Sequence, residues 1–392
     1  MDHPSWDGKY VHDSIPKGRT SSYQRSLAQL RIPIGQFPVE FKGTELSLER
    51  PMKRAVLCGY YGMGNGGDEA LLATLLQMLP AEIEPIVLSK TPVATAARYQ
   101  VEAVDRWNFW AVLGALRRAQ LFIWGGGSLI QDVSSQISPL YYLGLMQLAQ
   151  LLGLRTIAWG QGIGPLTRPL TKRLTRRVLA GCTAISVRDR GSAELLAQWQ
   201  IPHTLAPDPV WAMETDSPIR SVQPQLTVAV NLRQHHSLTP DRLTTFTQAL
   251  VEFQRRTQAH ILLVPFQYSL DFDLAAGLAQ QVPGAELIEL EDPEELRRLF
   301  DRVDLAIVMR LHGLIMAAAA GARCFALSYD PKVTQVSTNL GLAFCEMAQL
   351  PNDPTVLTQT WLQIAMEPGL SREKRQELAK AAKAHRELLR AL

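Results

Sequence analysis

Residues 54–79 read RAVLCGYYGMGNGGDEALLATLLQML. The stretch opens on a short apolar run, Ala55-Val56-Leu57-Cys58-Gly59, crosses a glycine-rich turn and ends in an apolar helical pattern from Glu69 to Leu79. A buried strand, a loop and a helix in that order open a βαβ unit, whose strands run parallel because the helix carries the chain back across the sheet.

The same alternation recurs outward from this stretch. Strands are expected over 84–89, 121–124, 155–160 and 184–187, with helices over 138–152, 168–180 and 191–200. Proline and turn residues from 202 to 224 break the pattern, and it restarts with a strand over 226–231. Helices over 241–258, 271–281, 293–301 and 313–320 then alternate with strands over 260–265, 285–290, 305–309 and 324–328, the last of the series. Short apolar strands between helices of this length predict an α/β chain with two Rossmann-like doubly wound domains facing a cleft. The expected boundaries are 53–215 for the first domain and 222–345 for the second, followed by a helical segment over 346–392. Residues 1–52 are polar, carry Pro4, Pro16, Pro33, Pro38 and Pro51, and read as a mobile N-terminal extension.

Composition excludes several classes. With 392 residues and 46% apolar content the chain can fill two cores, and a net charge of +3 does not suit a disordered protein or a nucleic-acid-binding surface. Its four cysteines, Cys58, Cys182, Cys324 and Cys345, form no CxxC pair, which supports neither a disulfide framework nor a zinc ribbon. The first thirty residues hold charges and no apolar core long enough for a secretory signal, and no clean run of eighteen apolar residues predicts a membrane span. A cytoplasmic location is expected. Residues 371–392 carry Leu378, Ala381, Ala382, His385, Leu388 and Leu389 at helical spacing, with seven basic residues against three acidic ones. Such a helix either packs with a solvated face or touches an anionic membrane surface.

In open α/β sheets ligands bind beyond the carboxyl ends of the strands, and the informative residues lie there. The loop Gly59–Glu69 holds five glycines before a helix N-terminus, where backbone can approach an anion; Asn65 and Gly66 are candidate contacts. Asp68 is well placed to cap that helix or to touch substrate. The segment WGGGSLIQD (124–132) offers Ser128, Gln131 and Asp132 to sugar hydroxyls, unless its glycines only allow tight packing. In GQGIGP (160–165) only Gln161 can make a directed hydrogen bond. Arg188 and Arg190 end a strand, where a guanidinium fork suits carboxylate or phosphate; a surface Arg–Asp pair is the bland alternative. Arg233 follows the first strand of the second domain. Arg310 and His312 sit two apart at a strand exit before a helix of small residues, poising the imidazole for proton transfer beside a cation. Lys332 follows the next strand, within reach of the same anion. No acidic cluster suggests a metal, and His235 and His236 resemble no metal pattern.

Together, GYYGMGNGGDEALL, WGGGSLIQD, GQGIGPL, SVRDR, PDPVW, MRLHGLIMA and SYDPKV, spread over residues 54–340, resemble the polysaccharide pyruvyltransferase family, its CsaB-like members in particular. The resemblance implies a GT-B-like fold and transfer of a pyruvyl group from phosphoenolpyruvate, a co-substrate, to a sugar of a cell-wall or exopolysaccharide precursor. A pyruvate ketal forms, phosphate is released, and no cofactor or metal is needed. By this similarity the first domain is the acceptor side with part of the donor site, and the second is the donor side. Phosphoenolpyruvate falls to Arg188, Arg310 and Lys332, and His312 belongs to the same Arg-x-His element; from the chemistry of the residues themselves, His312 is the candidate acid and Asp68 or Asp132 the candidate base. Asn65, Gly66, Ser128, Gln131, Gln161 and Arg233 are left for the acceptor or its loops. A glycan or lipid-linked sugar acceptor implies work at the inner membrane face, with peripheral membrane contact, and a homo-oligomer is left open. Two other readings share these residues: a nucleotide-sugar glycosyltransferase, and a non-catalytic protein that binds phosphoenolpyruvate or a glycan.

Overall fold

The computed structural model describes residues 52–133, 135, 137–215 and 225–391, so the extension read over 1–52 lies, but for Met52, outside the described residues. In the first domain the chain runs β1 (Lys53–Cys58), α1 (Gly66–Met78), β2 (Ile83–Ser89), α2 (Pro92–Tyr99), β3 (Glu102–Asp105), α3 (Phe109–Arg118), β4 (Leu121–Trp124), β5 (Gly127–Ile130) and α4 (Ile137–Leu151). It continues through β6 (Arg155–Ile163), α5 (Pro169–Ala180), β7 (Ala184–Val187), α6 (Arg190–Gln198) and β8 (Thr204–Leu205) to a 3-10 turn at Pro209–Ala212. The strands form a parallel sheet in the order β3-β2-β1-β4-β6-β7-β8, with β5 paired to β6.

The second domain repeats the plan with β9 (Thr227–Asn231), α7 (Pro240–Thr257), β10 (His260–Leu263), α8 (Tyr268–Ala279), β11 (Glu286–Leu287) and α9 (Pro293–Phe300). After these come β12 (Leu305–Val308), α10 (Leu311–Ala320), β13 (Arg323–Ser328), α11 (Pro331–Leu340) and β14 (Ala343–Glu346), in a parallel sheet ordered β11-β10-β9-β12-β13-β14. Both sheets reverse direction of growth between their first and fourth strands, β1/β4 and β9/β12. Those switch points are where an open α/β sheet leaves a crevice.

Helix α1 shows why the domains face each other as they do. Its residues Ala70, Leu71, Leu72, Ala73 and Leu75 are buried all round, the mark of a helix with no solvent side. It shares one continuous core with Leu57 and Ile123 of the first sheet and with α9, α10, Ala306 and Val308 of the second. On the far side of the first sheet a separate core holds α3, α4, α5 and α6; on the far side of the second, Trp361 packs against Phe246, Phe253 and Phe325.

Several expectations change. Residues 92–118, unassigned from sequence, supply α2, β3 and α3, and the glycine segment Gly160–Ile163 continues β6 instead of forming a loop. The run 324–328 is not the last strand, because α11 and β14 follow it. The segment after residue 346 forms α12 (Pro354–Ile364), α13 (Arg372–Ala382) and α14 (Ala384–Arg390). The last two cross back to the first domain: Ala382 and Leu389 are buried in the shared core, and His385 hydrogen-bonds Ser186 Oγ and the Pro207 carbonyl at 2.8 Å each. The apolar face of residues 371–392 is therefore used in packing. Among the described residues no helix is long and apolar enough to cross a membrane.

Candidate active site

A cleft of about 1110 Å³ opens at the carboxyl ends of both sheets. Four loops reach it from the two switch points: after β1 with Asp68, after β4 with Ser128, after β9 with Arg233 and after β12 with His312. Arg188, at the end of β7, is the centre. Its Nη1 donates to Asp208 Oδ2 at 2.5 Å and to His312 Nε2 at 3.2 Å, and its Nη2 donates to Ser128 Oγ at 3.0 Å. A guanidinium has only N–H groups to offer, so His312 Nε2 accepts here.

Lys332 reaches across from the second domain, and its Nζ donates to the same Ser128 Oγ at 2.7 Å. It stands in the first turn of α11, which Asp330 caps by accepting from the Lys332 N–H at 2.9 Å. Burial, and then the neighbouring Arg188, push the Lys332 ammonium below its ordinary value against the pull of Asp330. Two cations from different domains thus converge on one neutral hydroxyl oxygen. Burial pushes the Asp208 carboxyl up, but Arg188 and the His312 ring, 3.6 Å away through Nε2, hold it well below the carboxylate range.

His312 is fixed by its surroundings as well as by its strand exit. It is the second residue of α10, and its ring lies over Gly67 so closely that a Cβ there would stand 2.2 Å from Nδ1. The glycine in the first loop is thus required by an imidazole far away in the sequence. Next to it, Asp68 projects into the cleft, with Oδ1 3.2 Å from where a Cβ on Gly127 would sit. Burial pushes its carboxyl up to about 6, against the attraction of His312, Arg188 and Arg310. Asp68 is not the cap of α1. That place belongs to Asn65, whose Oδ1 accepts from the Gly67 N–H at 3.0 Å, because the helix begins three residues earlier than its apolar pattern suggests.

Other expected site residues hold the structure. Arg310 lines the cleft, yet its guanidinium is spent on Asp271 through two bonds of 2.6 Å and on Gln267 Oε1 at 3.3 Å. Its place is to fix the turn into α10 that carries His312. Asp132 is buried and accepts from the Thr167 N–H and hydroxyl and the Arg168 N–H, at 2.7, 2.9 and 2.9 Å. Burial raises its carboxyl, but those bonds outweigh it and leave the group below its ordinary value, unsuited to a base. Gln161 is fully buried and donates to the Gly125 and Trp159 carbonyls, so it braces the β4 exit and does not reach the cleft. The Gly66 N–H is committed to the Phe266 carbonyl at 2.6 Å. Gln131 and Arg233 do line the cleft. Arg233 donates to the Tyr329 hydroxyl at 2.7 Å and lies over its ring, and its Nε is buried without a partner.

Two residues escaped sequence reading. Asp208 stood inside the quoted run PDPVW, where a carboxylate between prolines looked like a turn; Asp271 was read only as the start of a helix. Both are buried acids, and buried acids are rarely without a cation.

Comparison with solved structures returns the fold. The UDP-GlcNAc 2-epimerase of Neisseria meningitidis bound to UDP-GlcNAc superposes with a TM-score of 0.60 at 11% identity, over 86% of this chain and 100% of that one. The UDP-GlcNAc 2-epimerase of Methanocaldococcus jannaschii gives 0.58 at 9% identity, over 87% and 100%. The calicheamicin glycosyltransferase CalG4 gives 0.51 at 12%, over 87% and 97%. These place the chain among two-domain folds of the GT-B type. No curated protein matches the chain. A family model, polysaccharide pyruvyl transferase, matches residues 65–331.

Proposed function

The chain belongs to the polysaccharide pyruvyl transferase family, and from that premise we propose that it transfers the pyruvyl group of phosphoenolpyruvate to a sugar of a glycan precursor as a ketal. The observation that carries this reading is the convergence of Arg188 and Lys332 on Ser128 Oγ. Asp208 balances only one of these two buried cations, and bringing the second beside it is unfavourable unless a further anion completes the group; the donor carries both a phosphate and a carboxylate. The rest of the cleft exceeds what a donor of that size fills, since roughly 300–1,000 Å³ already holds a drug-sized ligand. Arg233 and Gln131 remain for the acceptor.

In the proposed reaction one acceptor hydroxyl oxygen bonds to C2 of the donor, and its proton passes to Asp68. Once the donor's anionic groups take up Arg188, His312 Nε2 is released from that contact to carry a proton, which it delivers to the methylene C3, and Asp208 stabilises the imidazolium that precedes delivery. The C2–O bond to phosphate breaks, the second hydroxyl oxygen bonds to C2, and its proton leaves with the phosphate. Calorimetric titration with phosphoenolpyruvate tests the donor. Binding that is lost in Arg188→Met and Lys332→Met but kept in His312→Ala is the expected result; binding of a nucleotide sugar and not of phosphoenolpyruvate would overturn it.

Two further outcomes follow from the geometry. A base with its carboxyl near 6 works only when deprotonated, so kcat/KM should fall as pH drops below about 6. Asp68→Asn should remove that acid limb along with most of the activity; an unchanged limb would assign it to another group. Stability runs the other way. The folded chain holds this proton more tightly than the unfolded one, for which 3.8 is the ordinary value. Asp68 therefore favours the fold in acid and ceases to as pH rises through about 6. Gly67→Ala should push the His312 ring aside, and a displacement of that kind costs about 10²-fold in turnover. Steady-state rates near those of the unmodified protein would show that the ring has room.

A further inference from the structure

Among the described residues, six of the exposed large apolar side chains stand at the starts of three neighbouring helices. Trp107, Phe109 and Trp110 (76% exposed) stand at the start of α3, Val133 and Ile137 (77%) at the start of α4, and Leu170 (66%) at the start of α5. These helices lie side by side on one face of the first sheet, since all three bury their inner sides in the same core. In a parallel sheet every helix that follows a strand begins at the carboxyl end, which here is the end with the cleft. The three exposed apolar tips therefore share one edge. Continuity is direct: the Trp107 ring lies tilted against Tyr141 of α4 with centroids 5.2 Å apart, Phe109 meets Trp110 edge to face at 5.3 Å, and Asp132 ties the Val133 loop to the residues leading into α5. Val133 also lines the cleft, as does Ser138 one residue beyond Ile137.

The charge beside this edge has one sign. Helix α5 reads PLTKRLTRRVLA, with Lys172, Arg173, Arg176 and Arg177 exposed and no acidic residue. Among the described residues none of the four pairs with a carboxylate. Two acids of the neighbouring loops are engaged elsewhere: Asp105 accepts from the Trp107 N–H, and Asp132 is buried. We infer that this edge is a docking surface for an anionic lipid bilayer, with the Trp and Phe rings seated at the headgroup level and α5 laid against the phosphates. Tryptophan favours that depth because its ring is apolar and its N–H polar. A neutral protein partner would use the rings but leave four cations unmatched.

The surface sets the mouth of the cleft against the membrane, where a sugar carried on a lipid could enter. That consequence rests on the proposed function, whereas docking does not, because it is measured with neither donor nor acceptor. The experiment is flotation of the full chain with vesicles of phosphatidylcholine alone and of equimolar phosphatidylcholine and phosphatidylglycerol. Binding to the anionic vesicles only is expected. Trp110→Ser with Ile137→Ser, and separately Lys172→Glu with Arg173→Glu, should each weaken it about tenfold or more at unchanged thermal stability. Light scattering accompanies each sample. Failure of the unmodified chain to float, as a second copy or residues 1–49 seated on this edge would produce, overturns the inference. So does undiminished flotation of both variants, or conversion of a dimer to monomers by the first of them.

Discussion

Asp271→Ala is expected to lower the free energy of unfolding by about 3–5 kcal/mol, the cost of leaving a buried charge without its partner. Arg310 is 7% exposed, and Asp271, itself fully buried, meets its guanidinium with both carboxylate oxygens. Asp271 Oδ2 also accepts from the Phe266 and Gln267 N–H groups at 3.2 and 3.0 Å, so its loss frees the whole turn before α8. Denaturant titration reads the effect. The double variant Asp271→Leu/Arg310→Met removes the stranded charge and should recover much of the loss. A single variant as stable as the original would mean that Arg310 finds water or another partner at no cost.

His312→Ala should lower kcat by about 10²–10⁴-fold while leaving phosphoenolpyruvate affinity within a few-fold, because a proton-transfer group acts in the transition state and not in the ground state. Single-turnover rates with a saturating donor separate the two quantities. Equal losses in binding and rate would assign the imidazole to anchoring, through its contact with Arg188. A rate unchanged by the substitution would remove His312 from the chemistry altogether.

The sequence was most legible where strands were buried on both faces. β1 from Ala55 onward, β4 and β12 are continuous apolar runs, and each announced the loop behind it. β3 was silent because Glu-Ala-Val-Asp at the sheet edge is short and half-exposed, and β5 because Gly-Ser-Leu-Ile looks like the turn before it. In the site, the strand-exit residues Arg188, His312, Lys332 and Ser128 line one cleft. What they did not reveal was pairing. Arg188 and His312 lie 124 residues apart and Arg310 and Asp271 39 apart, and no local pattern links them. Hence Arg310 and Arg188, alike in the sequence as strand-end cations, separate only in three dimensions: Asp271 takes two prongs of one, whereas the other divides its fork among Asp208, His312 and Ser128 at the cleft.

The shared core beneath the cleft has a kinetic consequence. Ser128, Arg188 and Asp208 come from one domain and His312 and Lys332 from the other, and they touch directly. The entropy of assembling the two half-sites is met during folding, when α1, α9 and α10 are buried between the sheets. An incoming anion then meets a constellation that this core holds together. Its capture should therefore be a one-step encounter, linear in ligand concentration, without the saturating lag of a molecule that must first close.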